Sequence, residues 1–258
     1  MRGSVPDKMI LHRMGYHTNQ EGIGRRYVRE DDNWSDHLGN TKRFILNVIK
    51  KKEPDQVTIL GSGWLLDIPL REILRTGVRV RLVDIVHPPG IVKSLDGEPM
   101  AELVTDDITG GLPAAVWEMA ASKPRPDVSQ VIEAIAALYY EPQYEPGLVL
   151  SVNLLSQLAT QPFTYLVKKK LLRRDDYKMF AAAVQENHLA FLKKHEAILV
   201  TDFAEVYTDR YGAVTREQIL GCRLPAGKNR KEWTWHFDTD GSYMQGYKTS
   251  MEVVALYL

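Results

Sequence analysis

The sequence predicts an α/β fold: a mostly parallel sheet with helices on both faces, a C-terminal antiparallel β-hairpin and an N-terminal helical arm. Three observations carry this expectation. From residue 56 onward, short apolar runs alternate with segments of helical periodicity, as parallel pairing requires. The run Leu148–Val152 (LVLSV) is almost wholly apolar, as befits a strand buried on both faces. Trp233–Phe237 and Met251–Leu258 read as strands, the first of them turned by Asp238-Thr239-Asp240-Gly241-Ser242, with no helical pattern between them.

Composition bounds what such a fold can do. The 258 residues, 44% hydrophobic and 26% charged, suffice for one full core with an appended element. Lys plus Arg (33) balances Asp plus Glu (33), so neither nucleic acid nor a membrane is expected as a partner. The single cysteine, Cys222, excludes an intrachain disulfide and fits a reducing compartment, so a cytoplasmic location is expected. No apolar run approaches bilayer-spanning length, and the N-terminus lacks the apolar stretch of a secretory signal. With no HxxxH pair, Cys–His cluster or calcium-loop spacing, no metal is expected; a P-loop and a Gly-x-Ser-x-Gly elbow are also missing.

Taken in order, residues 1 to about 30 read as irregular, with Gly15, Gly22 and Gly24 set among Tyr16 and Tyr27: a solvated arm or a lid. A helix from Asn33 or Ser35 to Lys52 follows. Trp34, Leu38, Thr41, Ile45 and Ile49 recur at helical spacing, Ser35 suits an N-cap, Lys50–Lys52 suit the last turn, and Pro54 stops it. Residues 1–52 thus form an arm and helix set before a core of 53–258. The first strand, Val57–Leu60, breaks at Gly61-Ser62-Gly63, and a helical pattern starts directly after, at Leu65. Val78–Val83 is the second strand, ending at Asp84, and Ala101–Thr105 the third, followed by Asp106-Asp107-Ile108-Thr109. Ala114–Glu145 reads as mainly helical with breaks at Pro124 and Pro126. The fourth strand ends at Asn153, a helix over Tyr177–Lys194 carries His188, and the fifth strand, Ala197–Thr201, has Asp202 at its edge. Tyr207–Leu220 reads as a loop with a short helix near Thr215. The basic run Lys168–Arg174 reads as a solvated face, since it lacks the interleaved aromatics of a single-strand groove.

The chain is organised around Gln56–Pro69 (QVTILGSGWLLDIP). Glycines at a strand-to-helix turn accept backbone angles that a Cβ disfavours and let a ligand approach the main chain. Asp84, about 20 residues on, stands where an acid takes ribose hydroxyls. The order ILGSG, LVD ending at Asp84, VTDDIT ending at Thr109 and LVLSVNLLSQL over Leu148–Leu158 resembles the class I S-adenosylmethionine (SAM) dependent methyltransferases across roughly Gln56–Leu258. The pattern departs where Ile59 replaces an acid and Leu65 a third glycine. The resemblance implies a Rossmann-like methyltransferase sheet, SAM as cofactor and a small-molecule acceptor. It also implies Gly61, Ser62 and Gly63 under the amino-acid end of SAM, Asp84 and Ile85 at the ribose, Asp107 and Ile108 at the adenine, and Asn153 facing the reacting centre. The N-terminal arm would cover the site.

Alternatives stay open on residue chemistry alone. Asn153 equally suits a helix cap, and Asp107 a loop cap. His37, Asn153, His188 and Asp202 are the candidate catalytic groups. A base among His37, His188 and Asp202 is needed only for a protonated acceptor, and both histidines also read as core packing. The same cofactor serves aminocarboxypropyl transfer in nicotianamine-synthase-like proteins, and a SAM- or nucleotide-binding module without catalysis is a third option. The C-terminal hairpin favours a methyl donor over NAD, whose fold would continue as βαβ. Acceptor choice would be encoded in residues 1–52 and 203–232, and the oligomeric state stays open, a homodimer included.

Overall fold

The computed structural model describes residues 7–258; the first six residues of the N-terminal arm lie outside the described residues. The strand β1 (Gln56–Leu60) lies between β2 (Arg79–Asp84) and β4 (Leu148–Val152), with β3 (Ala101–Thr105) beyond β2 and β5 (Ala197–Asp209) beyond β4, all parallel. The last strand, β8 (Tyr247–Tyr257), runs antiparallel to β5, and β7 (Lys228–Asp238) antiparallel to β8. The strand β6 (Val214–Gln218) folds back on the outer half of β5. Across the sheet the order is 3-2-1-4-5-8-7. This is the mostly parallel, Rossmann-like sheet with a C-terminal antiparallel hairpin that the sequence predicts, with the final strand inserted antiparallel beside the fifth.

Strand alternation divides the core into two faces. Val57, Ile59, Leu148, Leu150, Ile198, Val200, Val253 and Ala255 share one apolar cluster with the second half of α2 (Tyr16–Lys52) and with α3 (Leu70–Arg75). Leu60, Val149, Leu199, Val254 and Leu256 face the other way, toward α8 (Tyr177–Leu192). The helices α5 (Leu112–Ala121), α6 (Val128–Ala136) and α7 (Thr160–Lys168) share a further cluster with α8. Among the described residues no helix is long and apolar enough to cross a membrane.

The N-terminal segment departs from the sequence reading. Rather than an irregular arm, it forms α1 (Lys8–Met14) and the first half of α2, which is kinked at Glu30 (φ −109°, ψ 15°). Ser35 is therefore mid-helix, its hydroxyl donating to the Asp32 carbonyl at 2.9 Å, and caps nothing. Gly22 and Gly24 cost about 1 kcal/mol each against alanine in a free helix, but the helix is docked. At Gly24 an added Cβ would sit 3.3 Å from the Trp64 ring, so the missing side chain is what admits the indole. Glu30, fully buried, accepts from Thr239 N, Thr239 Oγ1 and Asn33 Nδ2, which fastens the kink to the turn after β7.

Three further differences bear on the site. Gly61–Pro69 is an extended turn, and α3 starts only at Leu70, because Gly61, Gly63 and Leu65 all take positive φ (65°, 48° and 56°). The glycine turn thus does not abut a helix N-terminus. The fifth strand runs eight residues beyond Thr201, so Asp202 lies within it, at a bulge between Asp202 and Ala204. Tyr207–Leu220 holds a β-hairpin rather than a helix: Asp209 Oδ1 accepts from Tyr211 N and Ala213 N at 2.8 Å each, closing the turn into β6. Residues beyond Ala137 up to β4 are not helical.

Candidate functional site

At the C-terminal edge of the parallel strands lies a cavity of about 760 Å³, within the roughly 300–1,000 Å³ range of small-molecule sites. The fold puts the openings after β1, β2, β3 and β4 on one floor, where an open α/β sheet binds its ligands. Helix α1 packs on α5 and α7, on one side of the sheet, and the later part of α2 on β7. The stretch between, Tyr16 to Arg26, lines the cavity through Tyr16, Asn19, Gln20, Ile23 and Arg26.

One end is built by the glycine turn. A Cβ on Gly61 would meet Leu154 Cδ1 at 2.6 Å, and the positive φ there disfavours any side chain. Leu65 takes the same left-handed backbone as the two glycines, although it carries a side chain. Asp84 is buried; its Oδ2 accepts from Gly63 N at 2.7 Å and its Oδ1 from Val86 N at 3.2 Å. Two of the roughly four acceptor positions of that carboxylate are used. Burial raises its pKa against those bonds. Asp107 accepts from Thr109 N (2.9 Å), Thr109 Oγ1 and Gly111 N (3.0 Å), so it caps its own loop and keeps one position free. Ile85 and Ile108 line the same end. The Tyr16 phenol is pushed up by burial and then by Asp107 and Asp84. Trp64 Nε1 donates to the Gln20 carbonyl at 2.8 Å, tying the turn to α2.

The middle of the floor joins three elements. Trp233 Nε1 donates to His37 Nδ1 at 3.1 Å, and the His37 ring stacks on Trp235 at 4.0 Å between centroids and 9° between planes. Burial lowers His37 to about pH 3. His37 is therefore neutral near pH 7, its Nδ1 is filled, and it is a poor proton acceptor; its geometry makes it a positioning group. The remaining proton sits on Nε2, 2.9 Å from the Asn153 amide. The same amide atom is 2.7 Å from Asp67 Oδ2, and the other amide position has no partner among the described residues. Two N–H donors cannot face one another, so the amide oxygen faces His37. Asp67 then carries a proton and donates to that oxygen too, consistent with burial raising its pKa. This orientation leaves the Asn153 N–H₂ as the unfilled donor. Asn153 is itself in the left-handed region (φ 49°), at the residue after β4.

The other end lies over β5. Asp202 lines the cavity and is 7% exposed; Ser156 Oγ donates to its Oδ1 at 2.6 Å. Burial raises its pKa, and Glu205 adds to the rise. Glu205, Glu217, Tyr177 and Tyr243 line the same end. Of the sequence candidates, Gly61, Ser62, Gly63, Asp84, Ile85, Asp107, Ile108, Asn153, His37 and Asp202 all line this one cavity. His188 does not. It is buried behind β4, its Nε2 2.8 Å from Ser151 Oγ, with burial lowering it to about pH 4. Its place on the apolar side of α8 is that of a packing residue.

Sequence reasoning missed Gln20, Asp67, Trp233 and Glu205. Asp67 left a signal as a lone carboxylate inside the apolar WLLDIP run, and Trp233, Trp235 and Phe237 alternate onto one strand face. Away from the cavity lining, Glu30, Asp238 and Asp240 bring carboxylates within 4.8 Å of one another. Arg29 bridges them, at 2.8 Å to Asp240 and 3.1 Å to Asp238, so an ion-pair network occupies that cluster.

The residues present suit a nucleoside with a charged amino-acid tail. Among the described residues, buried Gln20 Oε1 and Ser62 Oγ have no partner beside the turn, and Asp84 keeps acceptor capacity. No family model and no curated protein matches the chain. Among solved structures, a Burkholderia thailandensis 1,6-didemethyltoxoflavin-N1-methyltransferase, with 1,6-didemethyltoxoflavin and S-adenosylhomocysteine bound, is similar at a TM-score of 0.40 and 13% identity, covering 93% of this chain and 88% of that one. At that likeness the function has to be argued from this chain's own residues.

Proposed function

We propose that the protein is a SAM-dependent methyltransferase acting on a small-molecule acceptor, with residues 1–52 as the cover and 53–258 as the SAM-binding domain. The observation that carries this is the alignment of Gly61–Gly63, Asp84, Asp107–Ile108 and Asn153 along the edge of a sheet ordered 3-2-1-4-5-8-7. When bound, SAM would supply a methyl group on a positively charged sulfur. The glycine turn, with Gln20 Oε1 and Ser62 Oγ, would take the amino-acid end. Asp84 would accept from ribose hydroxyls, with Ile85 against the ribose. The remaining acceptor position of Asp107 suits one adenine amino hydrogen, and Ile108 gives that base an apolar wall. Asn153, locked by Asp67 and His37, would orient groups at the junction of donor and acceptor. Catalysis of this kind rests on holding two reactants in line and excluding water, more than on covalent participation.

The test is product analysis. Purified protein incubated with SAM and a metabolite extract should release S-adenosylhomocysteine. Release of 5′-methylthioadenosine instead would assign aminocarboxypropyl transfer, and tight SAM binding without turnover would assign a binding module.

A further inference from the structure

The charges of the cavity are one-sided. Asp84, Asp107, Asp202, Glu205 and Glu217 line it, against Arg26 and Lys178. Arg26 lies 3.9 Å from Asp238 and over the rings of Phe237 and Tyr243, at 4.6 and 5.1 Å. Asp84 and Asp107 belong to the donor end, where the glycine turn and their own loops occupy them. Asp202 is on β5, three strand spacings from Asp84 on β2, or about 14 Å across the sheet. It is more than nine-tenths buried, borders the cavity and receives one side-chain hydrogen bond, from Ser156 to Oδ1. Glu205 is held in place by two phenols, Tyr243 at 2.8 Å and Tyr207. Tyr177 lies close enough to both Asp202 and Glu205 for each to push its phenol up, after burial.

We infer that the β5 end of the cavity is a subsite for an amine, held as its ammonium form by Asp202 and Glu205 beside Tyr177. The subsite goes beyond the methyl-donor reading in naming the acceptor class, and it rests on that reading for which end is donor and which acceptor. An ammonium group offers N–H donors to carboxylates and a cation to aromatic faces, and a desolvated site strengthens both. An anion would meet three carboxylates there, and a neutral hydroxyl would bring no charge to offset them. The same arrangement readies the amine to react. The N–H bond breaks toward Asp202 Oδ2, the proton forms the carboxylic acid, and the electron pair stays on nitrogen. Burial and Glu205 raise the proton affinity of Asp202, which favours that transfer, while Ser156 holds the other oxygen.

The test compares three probes that share a phenethyl group, by titration calorimetry: phenethylamine, 2-phenylethanol and 3-phenylpropionate, each with and without S-adenosylhomocysteine. The amine should bind at least tenfold more tightly than either of the others. Asp202→Asn should remove roughly tenfold of that affinity and leave SAM affinity within twofold, and Glu205→Gln should act in the same direction should the first variant fold poorly. Equal binding of the three probes, tighter binding of the carboxylate, no binding of any to millimolar concentration, or variants with unchanged amine affinity would overturn the subsite. SAM is titrated separately. Amine selectivity in a protein that fails to bind SAM would uphold the subsite and remove the methyl-donor reading, so the two failures are distinct.

Discussion

Trp233 donates its indole N–H to Nδ1 of His37 at 3.1 Å, across 196 residues of sequence. One bond fixes the tautomer of a buried histidine, and through it the direction of the Asn153 amide on the cavity floor. A double-mutant cycle measures the link. Trp233→Phe and His37→Phe should each destabilise, with a coupling of about 0.5–1.5 kcal/mol in denaturant unfolding, the usual net worth of one such bond. A coupling near zero would mean that the contact does not set the tautomer.

The protonation of Asp67 gives a second prediction. If its acid form donates to Asn153, Asp67→Asn replaces one donor with another of nearly the same shape. Stability at pH 7 should then change by less than about 1 kcal/mol, since no buried partner is orphaned. A loss of more than about 2 kcal/mol would show that the ionised carboxylate is needed.

His188 predicts a pH dependence. Its folded pKa of about 4 lies below the ordinary histidine value of about 6.5. Above about pH 6.5 it is neutral in both states and its full contribution is present. As pH falls from there toward 4 only the unfolded chain takes the proton, and stability drops by up to about 1.4 kcal/mol per pH unit. His37 adds a drop of the same sign, and the raised buried carboxylates one of opposite sign, so the comparison is differential. Urea unfolding of wild type and His188→Gln should converge as pH falls from 7 to 4.5; parallel curves would contradict the buried neutral histidine.

The sheet was legible where apolar runs meet clear punctuation. Ala101–Thr105 and Leu148–Val152 fall where the sequence sets them, one before the Asp106-Asp107 loop and Gly110-Gly111, the other between Gly147 and Asn153. The strand β6 was not legible, because all five of its residues are exposed and its pairing with β5 comes from across the hairpin. The first half of α2 was hidden by Gly22 and Gly24, of which Gly24 is the one that docks on Trp64. At the site, backbone positions such as Gly61, Gly63 and Asp84 follow from local order. The Asp67–Asn153–His37 junction does not, since its members are 86 and 116 residues apart and no local period links them.

The central claim is that the edge of β1, β2 and β3 binds SAM, with Asp84 on the ribose. Its most direct measurement is titration calorimetry of wild type and Asp84→Asn with SAM and with NAD. A carboxylate taking ribose hydroxyls makes charge-assisted bonds of about 1.5–3 kcal/mol each before water is counted. Wild type should bind SAM and not NAD, and Asp84→Asn should lose roughly tenfold or more in SAM affinity while keeping its circular dichroism spectrum. Binding of NAD without SAM, or a folded Asp84→Asn protein that binds SAM as tightly as wild type, would contradict the account.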